Sequence, residues 1–159
     1  MKRVYLIRHG EAEFTGRGRG DHDRWLSETG RDQARNLGEQ LADAGIEVVL
    51  ASSADRAAQT ASGLGLEADV RVLDELYSAS SMGILRVLAT LPDEVGTAAL
   101  VAHAPGIPVL VNELAGDEPD PEAAAFIAHH FGTATCAGIE FTGSWADLDG
   151  SRLFWAGRG

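Results

Sequence analysis

The chain has 159 residues, and 24 Asp plus Glu stand against 13 Lys plus Arg, a formal net charge of −11. That length predicts a single domain over residues 1–159. The acidic balance excludes a general nucleic-acid binder, which needs a basic face, and disfavours docking on anionic membrane. Cys136 is the one cysteine, so there is no disulfide framework and no cysteine zinc site. The N-terminal apolar run is too short for a signal peptide, and no stretch approaches the ~18 apolar residues of a membrane span; a reducing cytoplasm is the expected setting. Lys2 is the one lysine among the basic residues. The rest are Arg, the side chain suited to a bidentate grip on phosphate or carboxylate.

In chain order, Val4 to Ile7 reads as a buried strand, and Gly10 to Asp23, rich in Gly and charge, as a loop. Thr29 and Asp32 have the spacing of a capping box, with Ala34, Leu37, Leu41 and Ala44 at helical intervals and Gly45 as the stop. Val48 to Ala51 is a second strand, Ala54 to Leu64 an Ala-rich helix, and Val70 to Leu73 a short third strand. Ser81 to Leu91 is a helix closed by Pro92, and Ala98 to Ala102 another buried strand. Pro105 opens a helix that runs to about Leu114. A Pro/acidic turn over Asp117 to Pro121 leads into a helix from Glu122 to Phe131. Thr135 to Phe141 and Ser151 to Trp155 form a closing hairpin around Asp149-Gly150. Strands alternating with helices predict an α/β fold with a mostly parallel central sheet and helices on both faces.

Ligands of such sheets bind beyond the carboxyl ends of the strands. The residues there are distinctive. Arg8-His9-Gly10 follows the first strand, Arg56 starts the helix after the second, and His103 follows the strand ending at Ala102, just before a helix start near Ala104. Two Arg and two His on one rim suit an oxyanion: each Arg offers a bidentate charge-assisted pair, and a helix N-terminus adds backbone N–H donors. A neutral imidazole in that cage can attack phosphorus while the arginines stabilise charge on the transferring phosphoryl group.

Three ordered blocks carry a resemblance to a family. Leu6-Ile7-Arg8-His9-Gly10-Glu11-Ala12 resembles the Arg-His-Gly signature of the histidine phosphatase superfamily, the phosphoglycerate mutase-like fold. Ser52-Ser53-Ala54-Asp55-Arg56 through Ala61 is similar to its second block, and Val101-Ala102-His103-Ala104-Pro105-Gly106 to its third. The resemblance implies that His9 is the phosphorylated nucleophile and that Arg8 and Arg56 bind the phosphoryl oxygens. It implies a second, cationic phosphate ligand in His103, with the Ala104 backbone N–H beside it. No cofactor and no metal are implied. The short segment between Leu73 and Ala98 leaves little room for a lid. That shortness, with Asp21-His22-Asp23-Arg24-Trp25-Leu26-Ser27 and Leu76-Tyr77-Ser78-Ala79-Ser80, is similar to the SixA-type members that act on phosphohistidine in proteins. The expected partner is thus a phosphorylated substrate, a phosphohistidine protein, with a monomer compatible with the sequence. The alternatives are a small-molecule phosphomonoesterase, in which Glu75 is the candidate general acid, and a non-catalytic phosphate- or phosphopeptide-binding module.

Other conspicuous residues have plainer readings. Asp21-His22-Asp23 is expected in a solvated loop rather than around a metal. His129-His130 suits the negative end of a helix. Cys136 reads as a buried small hydrophobe, Trp145 and Trp155 as packing, and Trp25 as part of the pocket rim.

Overall fold

A computed structural model describes residues 1–18 and 20–159. Arg19, inside the predicted loop, lies outside the described residues. Eleven longer elements follow in order: β1 (Lys2–Arg8), α1 (Glu28–Gln40), β2 (Val48–Ser52), α2 (Asp55–Gly63), β3 (Asp69–Leu73), α3 (Ser81–Leu88), β4 (Thr97–Ala102), α4 (Gly106–Leu114), α5 (Pro121–Ala128), β5 (Thr135–Phe141) and β6 (Arg152–Arg158). Single 3-10 turns occupy Gly20–Asp23 and Asp74–Leu76.

The strands form one sheet in the order β3-β2-β4-β1-β5-β6. β1 to β4 run parallel to one another, while β5 is antiparallel to both β1 and β6. Strand alternation explains the layering. Val4 and Leu6 of β1 join a cluster with Ile84 and Leu88 of α3 and Ile107, Leu110 and Val111 of α4. Tyr5 and Ile7 face the other way, onto Leu37 and Leu41 of the α1 segment and Ala57 and Ala61 of α2. Both sheet faces are therefore covered, which is why the central strands read as unbroken apolar runs.

The register builds the site. β4 is inserted between β1 and β2, and Arg8 pairs with Ala102 across β1 and β4. His9 and His103, each one residue further on, are thus brought side by side. Ala51 pairs with Val101, so Ser52 at the end of β2 lies level with the same rim. The strand order reverses here, and this is where open α/β sheets place their ligands.

Several element boundaries differ from the sequence expectation. α1 starts at Glu28 because Ser27, not Thr29, is the cap: its hydroxyl accepts from the Gly30 N–H at 3.1 Å. α3 and α5 each end three residues early, at Leu88 and Ala128. The closing strands are joined by residues 142–151 rather than by a tight turn. Trp145 in that connection is 1% exposed, packs edge-on against Phe141 at 5.1 Å and donates to the Val95 carbonyl. β6 continues past Trp155 to Arg158. Between β3 and β4 the chain adds the Asp74–Leu76 turn and α3, which packs beneath the sheet.

Candidate active site

His9 is 9% exposed at the carboxyl end of β1, and its backbone N–H donates to the Ala102 carbonyl at 3.0 Å. Its Nδ1 lies 2.7 Å from the Gly10 carbonyl. A carbonyl only accepts, so this contact assigns the proton to Nδ1 and leaves Nε2 as the unprotonated ring nitrogen. Burial pushes the His9 imidazole down to about 4, against the Gly10 bond and with help from the Arg56, Arg8 and Arg24 charges. The ring is neutral at pH 7, the state a nitrogen nucleophile needs.

The loop that carries His9 is held at three points. The Gly10 N–H donates to Thr60 Oγ1 at 3.0 Å, and that hydroxyl donates to the Arg56 carbonyl at 2.7 Å. The buried Ala134 N–H donates to both the Arg8 and His9 carbonyls. Ala134 adopts φ +57, the one non-glycine with positive φ among the described residues. Sequence reasoning missed Thr60 and Ala134 as positioning residues. Thr60 sits four residues after Arg56, the spacing of a Thr bonding back to its helix, whereas nothing in the local sequence marks Ala134.

His103 faces His9 with ring centroids 5.2 Å apart. One of its nitrogens, Nε2, lies 2.8 Å from Ser52 Oγ, and Nδ1 is buried without a partner among the described residues. Burial, then His9 and Arg56, push its pKa down to about 3. A desolvated imidazole beside guanidinium groups is pushed away from the cationic form expected of it, and an oxyanion beside the ring would act in the opposite direction.

Both arginines reach the rim. Arg8 donates through Nη1 to the Phe131 carbonyl at 3.0 Å. Arg56 is 6% exposed and donates through Nη1 to the Asp21 carbonyl and through Nη2 to Asp21 Oδ2, at 2.8 and 3.1 Å. The Nε atoms of both are buried and unpartnered among the described residues. Orphaned buried Nε–H donors on two guanidinium groups are what an oxyanion would satisfy. A cavity of about 330 Å³ opens beside Arg56 and His103, lined also by Asp21, Tyr77, Ala104 and Pro105; Arg8 and His9 lie outside its lining residues.

The predicted loop is not solvated throughout. Asp23 is 8% exposed, and Asp21 is bound to Arg56. His22 sits against Ser53 Oγ at 3.1 Å and edge-on to Tyr77. His22, Asp23 and Asp55 bring ligand-type atoms within 4.8 Å of one another. Glu75 lies exposed on the 3-10 turn, outside the residues that line the cavity. Trp25 is covered by the Arg17 guanidinium 4.3 Å above its ring and does not line the cavity. Cys136 is fully buried.

Residues 4–80 match the model of the histidine phosphatase superfamily, branch 1. The chain is also 34% identical over 131 residues to an uncharacterized protein of Mycobacterium leprae, a span that covers 81% of each. The chain belongs to the histidine phosphatase superfamily. It is an enzyme of that superfamily, and its structural relatives agree. A Nakamurella multipartitia protein provisionally named phosphohistidine phosphatase SixA superposes with TM-score 0.85 at 33% identity, over 98% of this chain and 95% of that one. The protein histidine phosphatase SixA complexed with tungstate superposes with TM-score 0.78 at 26% identity, over 98% and 96%. No helix of this histidine phosphatase, among the described residues, is long and apolar enough to cross a membrane.

Proposed function

We propose that this histidine phosphatase is a SixA-like protein phosphohistidine phosphatase that works through a phosphohistidine on His9. The observation that carries the reading is the His9 imidazole itself: neutral, with Nδ1–H tied to the Gly10 carbonyl, beside two guanidinium groups with orphaned donors. In the first step the Nε2 lone pair forms the P–N bond as the bond from phosphorus to the substrate's leaving atom breaks. The His9 ring then carries positive charge, and the Nδ1–H bond to Gly10 strengthens. Arg8 and Arg56 stabilise the equatorial oxygens, and His103 and the Ala104 backbone N–H border the same space. In the second step water attacks phosphorus, the P–N bond breaks, inorganic phosphate leaves with the proton, and Nε2 regains its lone pair.

Two features favour a phosphoramidate over an ester. An ester needs a proton at its leaving oxygen, and the candidate acid Glu75 is an exposed residue of the 3-10 turn. A phosphohistidine leaving group arrives already protonated. The connection between β3 and β4 contributes only Tyr77, Ser78 and Ala79 to the cavity wall, a small cover that suits a side chain presented by another protein. We therefore place Arg8, His9, Arg56 and His103 in the reaction, within a single domain over residues 1–159, with no cofactor assigned. The test is turnover of a phosphohistidine-bearing protein. Wild type should release phosphate and His9→Ala should not; equal activity of the two overturns the reading.

A further inference from the structure

The most heavily bonded acid at the cavity is one that the reaction above does not use. Asp21 Oδ2 accepts from the Tyr77 hydroxyl at 2.6 Å and from Arg56 Nη2 at 3.1 Å, and Oδ1 accepts from Arg24 Nε at 3.1 Å. Tyr77 first, then the arginines, hold the carboxyl far below the usual carboxylate range, so it is an anion throughout the working range. Its side chain nevertheless remains 54% exposed, and it lines the cavity together with Arg56 and His103. A fixed negative charge at the mouth of a phosphate site is costly unless something there profits from it. It repels the phosphoryl group and occupies one guanidinium.

We infer that Asp21 is a specificity-determining residue: it selects phosphoryl donors whose ring is cationic while bonded to phosphorus, the protonated ring of a phosphohistidine, over esters with neutral or anionic leaving groups. This rests on the function proposed above and names the feature that chooses its substrate class. Oδ1 has acceptor capacity left for the distal N–H of the substrate imidazolium. As His9 Nε2 forms its bond to phosphorus, the substrate P–N bond breaks and its electron pair returns to the ring nitrogen. The imidazole leaves neutral, keeping the distal proton, so Asp21 never has to donate one. Tyr77 and Arg24 are positioning residues that hold the carboxylate in place.

The test is kcat/KM of wild type, Asp21→Asn and Tyr77→Phe on a phosphohistidine peptide and on p-nitrophenyl phosphate. Asp21→Asn keeps the shape and removes the charge. The ratio of phosphohistidine to ester turnover should fall about tenfold or more, the worth of a charge-assisted hydrogen bond. Ester turnover itself should rise as Arg56 is released. Tyr77→Phe should move the ratio the same way by less. A ratio that does not fall overturns the inference, including the case where both activities drop together because Arg56 has merely lost its support. If wild type cleaves the ester and not the phosphohistidine peptide, the proposed function fails first and the inference with it. That outcome is distinct, since it is read on wild type alone.

Discussion

His9 owes its chemistry to two neighbours at once: the Gly10 carbonyl chooses its tautomer, and burial keeps it neutral. A folded pKa of about 4 against an ordinary 6.5 means that the unfolded chain binds more protons between those values, so stability rises with pH there. The contribution is complete above pH 6.5 and is lost as pH falls through about 4, an effect of about 3 kcal/mol for this buried ring. Urea midpoints measured from pH 7 to pH 4 should therefore fall more steeply in wild type than in His9→Gln; parallel curves would contradict the assignment. Thr60, fully buried, bridges Gly10 N–H and the Arg56 carbonyl. Thr60→Val strands the Gly10 donor, at about 1–3 kcal/mol, and should lower kcat as well, because the His9 loop loses a hold. An unchanged kcat would mean that the loop is set by Ala134 alone. Arg8, His9 and His103 were legible because they sit at the ends of apolar runs, and Arg56 because it opens the helix that follows one. The downward push on the His103 imidazole was not, because it depends on burial among charges that come from distant parts of the chain.

At the scale of elements, two glycines of α1 are close-approach points with different consequences. A Cβ on Gly30 would land on the Glu11 carbonyl, in the loop leading from His9, and one on Gly38 would land on the Leu64 carbonyl at the end of α2. Overpacking of this kind costs about 1–3 kcal/mol. Gly30→Ala and Gly38→Ala should both lower the melting temperature, while only Gly30→Ala should lower kcat/KM; equal kinetic loss in the two would deny that the Glu11 loop is coupled to the site. The central strands were readable to within a residue or two, because two-sided burial leaves an uninterrupted apolar signature. Helix ends were less so. Ser27 outcompetes Thr29 as a cap because its hydroxyl is also fixed by the Glu11 carboxylate across the loop, a contact no local pattern records. The ten-residue connection before β6 was hidden for the same reason: Trp145 is buried by residues far away in sequence.

For the whole molecule, −11 of net charge surrounds the proposed phosphate site, whose positive charge is local. Arg8 keeps its charge to offer, while Arg56 shares its charge with Asp21. At long range the shell repels an anionic substrate, and the screening length shrinks from ~30 Å at 0.01 M to ~10 Å at 0.1 M salt. The kcat/KM for p-nitrophenyl phosphate should rise over that interval; a steep fall would mean that an extended basic surface steers the substrate. The overall α/β architecture followed from the alternation of elements, but the strand insertion that sets His9 against His103 is a property of the sheet order, which no stretch of sequence displays. The central claim is that the phosphoryl group resides on His9 during turnover. Rapid acid-free quenching with a labelled phosphoryl donor, followed by intact-mass and peptide mapping, tests it directly. The account predicts an acid-labile phosphoryl adduct on the His9 peptide in wild type and none in His9→Ala; turnover with no adduct, or an adduct on another residue, would contradict it.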